Sequence, residues 1–267
     1  MTWVIGAIGS HDRVVGVSDI QVMWGNQTED CLQKLHHVGP YMVYGFSGSV
    51  ELGFMMLDDL KEFLRVNEAQ ERIAWKPDWV AWKWHKRARA VFHNARKELK
   101  EKGCNIILLG VYPNEDPKAP PSWDGLPYII VMNGPKFVPA CHEDLWGYYS
   151  IGLGRSHYAE EIEDIKSMET DPLAHFVDGN GNIVRTSLNI PIAAIFTALR
   201  EKPVVGVSKD LHICIIQNGK VSIEGHSVEA AKVGFRITRK RFPVASSWKE
   251  FQAICATRNQ NTSQAVC

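Results

Sequence analysis

Two short apolar runs open the chain, Trp3–Ile8 and Arg13–Ser18, joined by Gly9-Ser10-His11-Asp12. Runs of that length bounded by turn-forming residues predict a β-hairpin. Trp24 to Asp30 reads as a polar excursion, and Leu32–His37 and Tyr41–Ser47 predict a second strand pair around Gly39-Pro40. The period changes at Val50. Leu52, Met55, Met56, Leu60, Phe63 and Leu64 recur at helical spacing, so Val50–Leu64 is expected to be a helix. A longer helix is predicted from Pro77 to Lys102, with proline at its first position and Gly103 just past its last. Trp79, Trp82, Ala88, Val91, Phe92, Ala95 and Leu99 share its apolar face.

Strands resume at Asn105–Tyr112, Tyr128–Met132, Lys136–Ala140 and Gly147–Ile151, with the loop PNEDPKAPPSWDG after the first. Helices are expected over Ser156–Lys166 and Ile190–Arg200. Strands follow at Val204–Val207, Leu211–Gln217 and Lys220–Glu224, the last two joined by the hairpin turn Asn218-Gly219. The basic run Arg236–Arg241 reads as a solvated face or a subunit contact, and a short helix is expected near Ser247–Ala256. Strands alternating with helix pairs predict two sheets face to face with helices on both outer sides.

Composition narrows the partners. Thirty basic residues balance thirty acidic ones, which gives no support to nucleic acid or an anionic membrane as partner. The basic face of the Pro77–Lys102 helix reads as the solvated side of an amphipathic helix. No apolar run approaches the ~20 residues that span a bilayer, and Trp3–Ile8 lacks the basic leader of an export signal. Six cysteines, Cys31, Cys104, Cys141, Cys214, Cys255 and Cys267, are scattered without a C-x-x-C pair. That usage suggests reduced thiols and a cytoplasmic protein. No His/Cys spacing matches a zinc motif, and His36-His37 is a bare pair. DGNGN at Asp178–Asn182 lacks the later glutamate of a calcium loop. Neither a metal nor a cofactor is expected.

The candidate chemistry begins at Thr2. A small second residue permits removal of Met1, leaving amine and hydroxyl on one residue. Such a threonine carries its own base, because the α-amine takes the hydroxyl proton directly or through water. The amine titrates near ~7.7–8, within reach of neutral pH. Asp19 ends the second predicted strand, beside the start of the first. CLQKLHHVGPYMVYGFSGSVELG then supplies Lys34 on the third strand and Gly48 at the strand-to-helix turn.

T-W-V, V-S-D-I, Q-K-L and F-S-G-S, in this order and spacing, resemble the proteasome β-subunit and its bacterial relatives, a group of N-terminal nucleophile hydrolases. The resemblance covers Thr2 to about Leu64, and more loosely Tyr148–Glu161 and Val204–Glu224; the C-terminal forty residues fall outside it. It implies an α+β fold, a four-layer αββα sandwich of two antiparallel sheets flanked by helices, over residues 2–226, with a partly disordered C-terminal extension at 227–267. Thr2 would be the nucleophile, Lys34 the cation that lowers its pKa, Asp19 the partner of Lys34, and Gly48 the oxyanion-hole donor. Val22, Leu32, Phe46 and Val50 would line an apolar S1 pocket. The implied activity is a threonine peptidase or amidohydrolase that cleaves after apolar residues of peptides or unfolded proteins. It would work within a ring or helical homo-oligomer, a partner ATPase remaining open. The chain departs from the group at Gly152-Leu153-Gly154, where relatives carry G-S-G. Ser156 is a candidate replacement for that serine, and Glu201 lies out of register with the second acid. An alternative is a catalytically impaired assembly or binding subunit on the same scaffold.

Overall fold

The computed structural model describes residues 3–9, 13–24, 27–67, 76–112, 125–143, 148–152, 207–217, 220–230 and 235–264. The helices expected at 156–166 and 190–200, the Pro-rich loop after Tyr112 and the DGNGN segment lie outside these residues, as do Thr2, Ser156 and Glu201.

The first hairpin forms as its two apolar runs and turn residues predict: β1 (Trp3–Gly9) and β2 (Arg13–Asp19) pair antiparallel, with Val4 opposite Ser18 and Gly6 opposite Gly16. They join β10 (Tyr148–Gly152), β11 (Asp210–Gln217), β12 (Lys220–Ala230) and β13 (Phe235–Arg239) in a six-stranded antiparallel sheet ordered β10-β1-β2-β11-β12-β13. A second antiparallel sheet runs β5 (Leu35–Gly39), β6 (Met42–Gly48), β7 (Cys104–Val111), β8 (Pro127–Asn133), β9 (Pro139–His142) in that order. The segment expected to be a polar excursion is instead a small hairpin, β3 (Gln21–Trp24) with β4 (Gln27–Asp30).

The two sheets share one apolar cluster, in which Val4, Ile8, Val14, Cys214 and Ile216 of the first meet Leu35, Val43, Ile107, Leu109, Ile129 and Val131 of the second. Glycine lets them approach. A Cβ at Gly16 would lie 2.3 Å from one methyl carbon of Leu109, and one at Gly6 2.5 Å from the other. Leu109 therefore lies on the flat patch made by this cross-strand glycine pair. The alternate residues of the six-stranded sheet, Trp3, Ile5, Val15, Val17, Leu211 and Ile213, are buried as well, so that sheet is covered on both faces.

Helices α1 (Val50–Asn67) and α2 (Pro77–Asn94) lie on the outer face of the five-stranded sheet, around Tyr44, Phe46, Ile106, Leu108 and Ile130. Asp59 on α1 ties them, accepting from Trp84 Nε1 at 2.8 Å and pairing with Arg87. The single helix expected over Pro77–Lys102 is two. The chain is extended at Ala95 and Arg96 before α3 (Lys97–Lys102), and the break allows both Ala95 and Leu99 to reach the core. Gly103 stops α3 at φ +68° as predicted. The basic face of α2 is solvated and partly paired: Arg87 to Asp59, and Lys83 above the Trp79 ring.

The boundary expected after residue 226 falls inside β12. Beyond it, β13 pairs with β12, Ala245 bridges to Leu32, and α4 (Trp248–Gln264) buries Phe251 in the helix-side core. Arg258 of α4 pairs with Glu29 of β4. Of the basic run, Arg239 pairs with Glu224 and Lys240 with Asp210.

Replacing Gly16 with alanine is expected to destabilise the protein by about 1–3 kcal/mol, because the methyl must displace Leu109 and Cys214 within a packed interface. Urea unfolding checks it: a lower midpoint at unchanged slope is expected, and an unchanged midpoint would refute the close approach.

Candidate functional site

β2 ends at Asp19, and hairpin register sets Asp19 beside Trp3. The Trp3 N–H donates to Asp19 Oδ1 at 2.8 Å, and the Gln21 N–H to Oδ2 at 3.1 Å. Both are backbone donors, so the carboxylate is fixed by the chain turning around it. The Cys31 and Leu32 N–H groups both donate to the Ile20 carbonyl, at 3.1 and 3.0 Å. This holds the segment before β5 against the end of β2 and delivers Lys34 to the carboxylate. Lys34 Nζ sits 2.7 Å from Asp19 Oδ2 and donates to the Gln21 carbonyl at 2.5 Å.

Both partners are completely buried. Burial pushes the Lys34 ammonium below the ordinary lysine range, opposed chiefly by the charge of Asp19 and its hydrogen bond. Burial likewise raises Asp19, against Lys34 and the two backbone donors. The pair is self-consistent: each charge is tolerable only beside the other.

Gly48 closes β6 at the corresponding end of the other sheet. Its φ of +101° is one that side chains rarely adopt, and a Cβ would fall 2.5 Å from the Gly103 carbonyl oxygen. That carbonyl accepts from Ser49 N–H at 2.9 Å, so Gly48 and Gly103 turn against each other and only glycine fits. Gly152, the last residue of β10, pairs with Trp3. The Gly-Leu-Gly segment therefore starts beside Trp3, while Leu153 and Gly154 lie outside the described residues.

Four proposed pocket residues, Val22, Leu32, Phe46 and Val50, belong to one helix-side cluster. Val22, Leu32 and Phe46 are buried within it; Val50, at the start of α1, is half-buried. Phe46 packs edge-on against Phe54 and stacks with His36.

Sequence reasoning missed two contributors. The first is the C-terminal segment. Ala245 donates its N–H to the Cys31 carbonyl at 2.8 Å and accepts from Gln33 N–H at 3.0 Å, so residues 31–33 are clamped between Ile20 and Ala245. The apolar stretch Phe242-Pro-Val-Ala between the basic run and α4 is its only local signal. The second is a pair of buried histidines. His36 is pushed down to about 3, first by burial and then by Lys61. His212 is pushed down to about 4, by burial, Lys34 and His226. Among the described residues no group of three His, Cys, Asp or Glu side chains could hold a metal. No described helix is long and apolar enough to cross a membrane.

No known protein family's sequence profile matches the chain, and a search of curated protein sequences finds no match.

The buried histidines set an acid limit. In the unfolded chain they titrate near ~6.5, so between there and about 4 the unfolded state binds more protons than the folded one. Stability must therefore rise with pH in this window and be lost as pH falls, by about 1.4 kcal/mol per pH unit for each histidine. Urea titrations at pH 7, 6 and 5 check the slope, and His36→Phe should roughly halve it. A flat profile would contradict the burial of neutral imidazoles.

Proposed function

We propose that the protein is an N-terminal threonine hydrolase of the proteasome β type, acting on peptide or amide bonds. The observation that carries the reading is the buried Lys34–Asp19 pair tied to Trp3 N–H. Residue 2 is bonded to that nitrogen, so the candidate nucleophile and the buried cation belong to one end of the sheet. An ammonium has three donors, and Asp19 and Gln21 account for two among the described residues. The third suits the hydroxyl of Thr2.

With Met1 removed, the Thr2 hydroxyl attacks the substrate carbonyl as its proton passes to the α-amine. Lys34 stabilises the developing alkoxide character at that oxygen. The carbonyl oxygen becomes an oxyanion, for which the N–H at the Gly48 turn is the assigned donor. Collapse breaks the carbon–nitrogen bond, and the proton on the α-amine leaves with the amine product. Water then attacks the acyl ester, splits its carbon–oxygen bond and restores the hydroxyl.

Several features support the finer architecture, a four-layer αββα sandwich. Two antiparallel sheets share a core, α1 and α2 cover one outer face, and the other outer face is buried. Peptide or unfolded-chain substrates, an apolar preference before the scissile bond and a homo-oligomeric assembly belong to the same proposal, with Val50 alone of the four expected lining residues left partly open. A second reading, a scaffold subunit without efficient proton transfer, is favoured by one feature. Gly152 pairs with Trp3 but opens a Gly-Leu-Gly segment with no hydroxyl.

Intact mass and an electrophilic probe of N-terminal threonine separate the two. The hydrolase reading predicts loss of Met1, one probe adduct, and no adduct in Thr2→Ala. It also predicts turnover of fluorogenic peptides with apolar residues before the scissile bond. Lys34→Met should slow labelling by at least about a hundredfold. Retained Met1, or labelling that survives Thr2→Ala, would refute the hydrolase reading; processed but unlabelled protein would leave the scaffold reading.

A further inference from the structure

Among the described residues, Ser18 Oγ, Ser47 Oγ and His212 Nδ1, at the Asp19–Gly48 end of the sheets, are buried without a hydrogen-bond partner. Their residues are 0 %, 1 % and 7 % exposed. Leaving such atoms unpaired is costly, and their grouping follows from register. Val4, Ser18 and His212 are cross-strand neighbours in one row across β1, β2 and β11. Val4 belongs to the cluster between the sheets, so the row faces the second sheet. Ser47 shares a face with Val43 and Gly45, which point back toward the first, Gly45 against Val4. Ser18 immediately precedes Asp19, and Ser47 immediately precedes Gly48.

His212 is held in this place from several sides. Its strand partner Gly225 carries no side chain, and Phe242 packs over that gap, its ring meeting His212 edge-on at 6.1 Å. Lys240 N–H donates to the Gly225 carbonyl at 2.8 Å, which anchors the segment that carries Phe242. The charged and titratable groups near the imidazole are Lys34 from the segment before β5, His226 from β12 and His36 from β5.

We propose that His212 is a positioning residue of the Thr2–Lys34 site: with the Ser18 and Ser47 hydroxyls it holds buried water between the sheets, next to Lys34. Such a site is polar and offers the two to four partners a buried water requires. The neutral imidazole orients the water through Nδ1, and the water in turn fixes the hydrogen-bonding field around the Lys34 ammonium. It supplies from β11 the polar support that a Gly-Leu-Gly segment does not supply from β10. The water exchanges hydrogen bonds only; no bond is made or broken at His212.

This inference rests on the hydrolase reading for its kinetic arm, and a second arm is independent of it. Because Nδ1 is the unpaired atom, the amide of asparagine replaces it and that of glutamine, which mimics Nε2, does not. His212→Phe is expected to slow labelling of Thr2 by about tenfold or more, the equivalent of one hydrogen bond in the activated state. His212→Asn recovers most of that loss, while His212→Gln and Ser18→Ala stay slow; thermal unfolding of each variant confirms its fold. Wild-type rates in a folded His212→Phe protein, or equal rates for the asparagine and glutamine variants, would overturn the proposal. If the wild-type protein takes no label, the hydrolase reading fails, and NMR titration of the histidine rings decides this one. Removing the neighbouring cation in Lys34→Met, or in Asp19→Asn/Lys34→Met if the single variant does not fold, must raise the His212 pKa. An unchanged titration curve overturns it.

Discussion

Two opposite charges, Lys34 and Asp19, lie completely out of water at the meeting point of four chain segments. Removing one charge from water costs several kcal/mol even after relaxation, and an ion pair recovers that only with near-ideal geometry and further hydrogen bonds. The structure supplies both. Asp19 accepts from Lys34 and from two backbone N–H groups, and Lys34 donates also to the Gln21 carbonyl. The start of β1, the end of β2, the start of β3 and the approach to β5 must all be in place for the pair to exist. An apolar pair of similar volume would satisfy stability at no such cost. On the proposed hydrolase reading, the pair supplies a cation beside the first strand.

The arrangement reaches far along the chain. Ile20 and Ala245 grip residues 31–33 from either side, and Phe242 packs on His212, on the strand next to that of Lys34's partner. A segment more than two hundred residues further along the chain thus helps to hold Lys34 in place. α4 continues the same tie, through Phe251 in the core and Arg258 on β4. A truncation at residue 226 would cut β12 and remove these supports together.

Much of this was readable in advance, for identifiable reasons. Short apolar runs bounded by turn residues marked most strands of both sheets, and Pro77, Gly48 and Gly103 marked helix ends because proline and left-handed glycine act locally. Asp19, Lys34 and Gly48 were found by their order and spacing. What escaped depends on long-range pairing. β4 is wholly polar, Gln-Thr-Glu-Asp, so the short apolar stretch Val22-Met23-Trp24 of β3 has no apolar run to pair with. The break at Ala95–Arg96 has neither proline nor glycine; it is imposed by where Ala95 and Leu99 must pack. The Ala245 bridge joins residues more than two hundred positions apart and has no local code. His212 reads as an ordinary strand position until β2 is laid beside it. The residues expected to line a pocket fall in one core cluster, and three of them are sealed inside it, because spacing along a strand identifies a face and not its exposure.

A crystal structure of the protein after removal of Met1 tests the central claim most directly, through the separation between Lys34 Nζ and the Thr2 hydroxyl oxygen. The account predicts hydrogen-bonding distance, about 2.7–3.2 Å, with Asp19 still bound to the same nitrogen. A hydroxyl turned away, beyond about 5 Å with no bridging water, would contradict it and reduce the buried pair to a structural tie.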